Sequence, residues 1–209
     1  MKLVFFSDSH NQHRQIHFPP GDVLICCGDL SSSGTLSEIE AFAQYLSTLK
    51  YQHKIVIAGN HDFALEDHRQ NQAEHILNTA QIHYLNDSGI HINDVFFWGS
   101  PIQPTFFDWA FNRQRGSQIQ AHWNLIPPTV NVLITHGPPY RILDQCHTGS
   151  HVGCQNLLQT IQKIQPQIHA FGHIHEAYGM TKRGLTTFIN AAVVDRKYRL
   201  TNPCIVQDI

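Results

Sequence analysis

Short runs of apolar, β-branched or aromatic residues punctuate the chain: "LVFF" (3–6), "VLICC" (23–27), "KIVIA" (54–58), "VFFWG" (95–99), "NVLIT" (131–135), "IHAFG" (168–172) and "TTFIN" (186–190). Their length predicts strands, and their near-continuous hydrophobicity suits a sheet buried on both faces. Between some of them lie longer segments with helix-like apolar spacing, which predict helices over 36–50, 67–79, 117–125 and 153–164. Alternating strands and helices make an α/β protein. In α/β sheets, ligand sites gather at the carboxyl ends of the strands, so the residues just past each run are the informative ones.

After "LVFF" comes "SDSH", with Asp8 and His10; after "VLICC" comes "GDL", with Asp29; after "KIVIA" comes "GNHD", with Asn60, His61 and Asp62. After "NVLIT" comes "HGPP", with His136, and after "IHAF" comes "GHIH", with His173 and His175. A lone Asp past a strand is ordinarily a turn or cap residue, and a lone His ordinarily a surface residue. Five strand ends that each deliver a metal-capable side chain, several beside a glycine that permits close backbone approach, point instead to a metal centre. Carboxylate, imidazole and amide oxygen without thiolate suit Mn, Fe, Zn, Co or Ni, and the donor set does not choose among them. Seven ligating groups exceed what one tetrahedral ion takes. Two ions about 3.5 to 4 Å apart, sharing a bridging carboxylate, would use them all, and that pairing is the device for in-line displacement at phosphorus.

At 209 residues the chain fits one domain, 1–209, large enough to bury about 70% of its unfolded surface. It needs no metal merely to fold, so a metal site here is functional. The content of 42% hydrophobic and 14% charged residues is that of an ordinary globular protein. A formal net charge of −2 supplies no global basic field, so stable nucleic-acid binding is not expected. Five cysteines without a CxxC pair argue against a disulfide framework, and Cys26 and Cys27 read as reduced core residues. The opening "MKLVFF" is too brief for a signal peptide and no run is long enough to span a membrane, so the expected compartment is the cytoplasm.

The chain closely resembles the calcineurin-like metallophosphoesterases, whose ordered signature reads DxH, GD, GNH followed by an acid, GH or a lone H, and GHxH. All five blocks stand in order from residue 8 to residue 175. Within that superfamily, "WGSPIQPTFFDWAFNRQRG", "NLIPPTVNVLITHGPPYRILD", "GCQNLLQTIQKIQPQIHAFGHIHEAYG" and the closing "INAAVVD…TNPCIVQDI" are similar to the metallophosphoesterase-domain-containing family. The resemblance implies a four-layer αββα sandwich, two mixed β-sheets packed face to face with helices outside. It also implies two divalent ions per chain, with Mn the favoured choice in vitro. Asp8, His10, Asp29 and His175 would hold one ion, and Asp29, Asn60, His136 and His173 the other.

The implied activity is hydrolysis of small phosphodiesters such as cyclic nucleotides, by in-line attack of a hydroxide formed between the two ions. The partner is then a small phosphate ester, such as a nucleotide. The alternatives are a phosphomonoesterase or protein phosphatase on the same site, or a metal-bound interaction protein with little turnover. His61, beside a ligand but not one in the family, is expected to protonate the leaving oxygen or stabilise its charge, with Asp62 orienting it or simply starting a helix. Asn112 and Arg115 are candidate phosphate or base contacts, and Trp98, Phe107 and Trp109 candidate stacking surfaces, against the plainer reading of aromatics packing a loop down. His147 and His151 are candidate rim residues, and His53, His68, His75 and His91 are expected at the surface.

Overall fold

The computed structural model describes all residues, 1–209. In chain order the elements are β1 (Lys2–Phe6), β2 (Val23–Cys27), α1 (Leu36–Ser47), β3 (His53–Ile57), α2 (Gln70–Thr79), β4 (His83–Tyr84), β5 (Ser88–Ile92), β6 (Val95–Ser100), β7 (Gln103–Pro104) and β8 (Asn112–Arg113). There follow α3 (Ser117–Trp123), β9 (Val132–Thr135), α4 (Gln155–Ile164), β10 (Ile168–Phe171), β11 (Gly179–Arg183), β12 (Thr186–Asn190) and β13 (Ile205–Asp208). All seven apolar runs form strands. The helices start and stop inside their predicted spans for local reasons. Helix α1 begins where Thr35 and Glu38 form a reciprocal capping box. Helix α2 starts three residues late because the Asp67 carboxylate ties up the Arg69 backbone N–H and guanidinium in a turn.

Two mixed sheets carry the fold, one in the order β13-β1-β2-β3-β4 and the other β11-β12-β10-β9-β6-β5. Strands β1 to β4 run parallel, as do β6, β9, β10 and β12, while β13, β5 and β11 pair antiparallel at the edges. Side chains alternate across each strand, which sorts the core into layers. Leu3, Phe5, Ile25 and Ile57 of the first sheet share one apolar cluster with Phe97, Val132, Ile134 and Ala170 of the second. Their sequence neighbours Val4, Phe6, Leu24 and Val56 belong to the larger cluster that includes Phe42 and Leu46 of α1 and Leu77 of α2. This is the expected sandwich of two sheets with helices outside.

The carboxyl edges of the two sheets are joined. Ser7, just past β1, forms a parallel bridge to Ala192, just past β12, and Val193 N–H donates to the Ser7 carbonyl at 3.0 Å. Loops from both parallel sets therefore converge on one edge. No helix is long and apolar enough to cross a membrane. Cys26 and Cys27 are buried free thiols, as expected.

Phe97 is fully buried between the sheets. Phe97→Ala is expected to lower unfolding free energy by about 3–5 kcal/mol through lost burial and a residual cavity. Urea titration measures this, and a loss under about 1 kcal/mol would contradict the inter-sheet placement.

Candidate metal centre

The structure brings all seven predicted ligands to that shared edge. Asp8, His10 and His175 have donor atoms within 4.8 Å of one another, and so do Asp29, His136 and His173. The two clusters are linked through Asp29, whose Oδ2 lies 3.8 Å from His10 Nε2 and 3.4 Å from His136 Nε2. His175 Nε2 approaches Asp8 Oδ1 at 3.3 Å, and Asn60 Oδ1 lies 2.9 Å from His136 Nε2. Asp29 thus stands between both groups, as a bridging carboxylate must.

The backbone is bent to achieve this. Asp8, His10, Asp29 and His173 all have positive φ, between 40° and 66°, a region that costs non-glycine residues energy. Glycines clear space beside them. A Cβ on Gly172 would lie 2.1 Å from Asp8 Oδ2 and Ser7 Oγ, and one on Gly59 2.3 Å from Asp29 Oδ1. Backbone groups then fix the side chains. His173 N–H donates to both Asp8 oxygens, at 3.1 and 3.0 Å, and His61 N–H donates to Asp29 Oδ1 at 2.8 Å. The carbonyl of Cys27 holds His136 Nδ1 at 2.9 Å and that of Asp195 holds His175 Nδ1 at 3.2 Å, so each Nε2 turns toward the carboxylates.

The residues fit divalent ions on their own chemistry. Both ring nitrogens of His10 are buried without a hydrogen-bond partner, an expensive arrangement for an imidazole and an apt one for a ligand. Burial would raise the carboxyls, yet the His175 hydrogen bond and charge bring Asp8 down to about 2, and His136 lowers Asp29 in the same way. Burial opposes charge on His136 too, but Asp29 beside it pushes it up to about 9. Burial keeps His173 at about 4 and lowers His10. The site pairs ionised carboxylates with imidazoles, and the carboxylates draw a proton onto His136, which is the positive charge a bound cation would replace.

His61 also falls within 4.8 Å of His10 and Asp29, so proximity alone does not separate it from the ligands. What sets it apart is the aromatic ring packed on it and the position next to Asn60 in the chain. The Ser32 carbonyl accepts from its Nδ1 at 2.8 Å, the Trp109 ring packs against it with centroids 4.3 Å apart, and it lines the open cavity. Asp62 does not touch the His61 ring. Its buried carboxylate accepts from the backbone N–H groups of Gly59 and Ser31, at 2.7 and 3.0 Å, and from the Ser31 hydroxyl. It also precedes the 3-10 turn Phe63–Leu65, so the helix-start reading holds in position, while its hydrogen bonds pin the loops of Asp29 and Asn60 together. Burial and the nearby Asp29 push Asp62 up to about 6.

A cavity of about 520 Å³ opens over the centre. Of the candidate contacts, Arg115, His151 and Trp109 line it, together with Phe106, Glu176, Arg196 and Tyr198, which the strand-end pattern did not reveal. Tyr198 sits on a left-handed backbone (φ 57°) with its ring edge-on to His10 and His175, at 4.8 and 5.3 Å. Asn112, Trp98, Phe107 and His147 are not in the lining. The Asn112 amide instead ties down its own loop through the Phe106 and Phe107 carbonyls, at 3.2 and 3.0 Å, and Trp98 packs on β6 against the apolar core. Phe107 projects into solvent and His147 pairs with Glu176 at 3.2 Å. His68, His75 and His91 are exposed, while His53 is half-buried against His83.

Two carboxylate–imidazole clusters linked through an aspartate, at the joined edges of a helix-flanked double sheet, make a candidate centre of the metallophosphoesterase type. The chain belongs to the calcineurin-like phosphoesterases, whose family model matches residues 1–177, and so to the metal-dependent phosphoester hydrolases. It is 40% identical over 233 residues to metallophosphoesterase domain-containing protein 1 of Homo sapiens, covering 100% of this chain and 71% of that protein. It is 38% identical over 220 residues to UPF0046 protein K07C11.7 of Caenorhabditis elegans, covering 99% and 74%. The solved structure of TT1561 of Thermus thermophilus shares the fold at a TM-score of 0.63 and 10% identity, over 99% of this chain and 98% of that one. The structure of GAP50, the anchor in the inner membrane complex of Plasmodium, does so at 0.53 and 9%, over 92% and 71%.

Two substitutions probe this geometry. Gly172→Ala, which forces a methyl group onto Asp8 and Ser7, is expected to lower both bound metal and melting temperature. Asp29→Ala, which removes the shared carboxylate, should deplete both ions. Elemental analysis of purified protein reads the metal. Full metal content in Asp29→Ala would refute the bridging position.

Proposed function

We propose that the protein is a dinuclear metal-dependent phosphodiesterase, acting on small phosphodiesters such as cyclic nucleotides in the cytoplasm. The observation that carries it is Asp29 standing within reach of both donor clusters. Two divalent ions bound there would lower the pKa of a water between them and polarise the phosphoryl oxygens. The chain's own residues do the rest. Asp8, His10 and His175 take one position, and Asn60, His136 and His173 the other.

His61 acts on the leaving group. Because Ser32 accepts from Nδ1, Nε2 is the nitrogen left to face the cavity, where it gives a proton to the departing oxygen or answers its charge. Trp109 against the ring restricts its rotation. Asp62 keeps the loops of Asp29 and Asn60 in register rather than contacting substrate. A cavity of about 520 Å³ with Phe106, Trp109 and Tyr198 in its walls suits a mononucleotide-sized ester. With 14 Lys and Arg against 16 Asp and Glu, the chain has no basic excess for tracking a polynucleotide. Five free cysteines fit a reducing compartment.

Exhaustive chelation should abolish hydrolysis while the far-UV circular dichroism persists, and added Mn²⁺ should restore turnover. Activity in a verified metal-free sample would overturn the reading. Parallel assays on bis-p-nitrophenyl phosphate, p-nitrophenyl phosphate and a phosphopeptide rank the substrate classes, with the diester expected first.

His61→Ala should retain near-normal metal while turnover falls by about 10²- to 10⁴-fold. A diester with an alkoxide leaving group should suffer more than a p-nitrophenyl diester, since p-nitrophenolate departs without a proton. Metal loss in His61→Ala would reassign the residue as a ligand.

A further inference from the structure

The cavity that contains the metal centre is also lined by Arg115, His151 and Arg196, none of them a candidate ligand. Arg115 is the informative one. Arg69, Arg113 and Arg199 each pair with a carboxylate, of Asp67, Glu66 and Asp195. Arg115 makes no such pair, and neither does Arg196 in the same cavity, but Arg115 is held in place by neutral groups, Nη1 on the Gly153 carbonyl at 2.9 Å and Nη2 on that of Val152 at 2.7 Å. Two of its five N–H groups are used, and its charge is unanswered within the protein.

The segment that anchors Arg115 also carries His151. The His151 Nδ1 donates to Asp144 Oδ1 at 2.6 Å, and Asp144 is buried, its other oxygen accepting from the N–H groups of Arg141 and Gly153 at 2.8 and 2.9 Å. Gly153 therefore donates to Asp144 and accepts from Arg115. A Cβ there would lie 2.4 Å from the Pro139 carbonyl oxygen, so the turn tolerates no side chain. The imidazole is thus fixed with Nε2 free of any protein partner, on the same rigid turn that holds the guanidinium.

We propose that Arg115 and His151, the latter positioned by Asp144, form a second anion subsite in this cavity. It would take a phosphate that the substrate carries in addition to the scissile ester, which narrows the class proposed above from simple cyclic nucleotides to small organic phosphoesters with a second phosphate group. A planar guanidinium with unspent donors and no carboxylate partner is suited to phosphate oxygens. The proposal rests on the phosphoesterase reading for the first phosphate, and supplies the selectivity that the metal ligands alone do not.

Equilibrium binding tests it on the metal-loaded full chain, with thymidine 5′-phosphate, thymidine 5′-diphosphate and thymidine 3′,5′-bisphosphate as probes. At least one doubly phosphorylated ligand should bind about tenfold more tightly than the monophosphate, the low end for a charge-assisted hydrogen-bond pair. Arg115→Gln should bring that ratio to near one, and Arg115→Lys, keeping the charge without the fork, should leave it in between. Metal content and melting temperature of each variant are measured alongside. Equal binding of all three ligands by the unsubstituted protein overturns the proposal, as does a preference that survives in Arg115→Gln. A protein that shows the preference but hydrolyses no diester loses the phosphodiesterase reading and keeps the subsite.

Discussion

A carboxylate buried where two sheets meet must be answered by positive charge, and the carboxylate of Asp29 is the one around which this molecule is arranged. It leaves β2 on a left-handed backbone, accepts the N–H of His61, and faces imidazoles from both sheets. An isolated carboxylate in that position would be costly. With His10 on one side and His136 on the other, each backed by a further donor group, the position is the midpoint of the two donor clusters. The bridge between Ser7 and Ala192, which joins the sheet edges, is what lets one residue serve both.

The same constraint accounts for the strained backbone around it. Four of the seven candidate ligands adopt positive φ, and two neighbouring glycines stand where any Cβ would strike a carboxylate oxygen. Strain of that kind persists only where surrounding structure enforces it. Here the enforcement comes from buried backbone contacts: Asp62 clamping the loops of Asp29 and Asn60, and the Cys27 and Asp195 carbonyls aiming two imidazoles. Ser32 does the same for His61, leaving its other nitrogen to the cavity rather than to the core. Rigidity at the ligands and openness above them are what a hydrolytic centre for small esters needs.

The central parallel strands are legible in the sequence because burial on both faces makes them continuous apolar runs, and the ligands are legible because each follows such a run directly. The edge strands are not. β5, β11 and β13 are half exposed and lean on glycine, polar or charged residues, so their pattern does not stand out from that of loops. The role of Asp62 is hidden because adjacency to His61 in the chain suggests contact, whereas its carboxylate turns inward to a backbone N–H group 31 residues away. The cavity walls are the least legible. Tyr198 reaches the centre from a loop near the end of the chain, and Asp144 acts through a buried turn, neither marked by any motif and both positioned by tertiary contacts alone.

The central claim is that one carboxylate serves two ions. Electron paramagnetic resonance of the protein titrated with Mn²⁺ tests it directly, because ions bridged by a carboxylate about 3.5 to 4 Å apart are exchange-coupled. The expected result is uptake of two ions per chain and a spectrum dominated by the coupled pair at saturation. Saturation at one ion, or two ions with the spectra of isolated Mn²⁺, would contradict it.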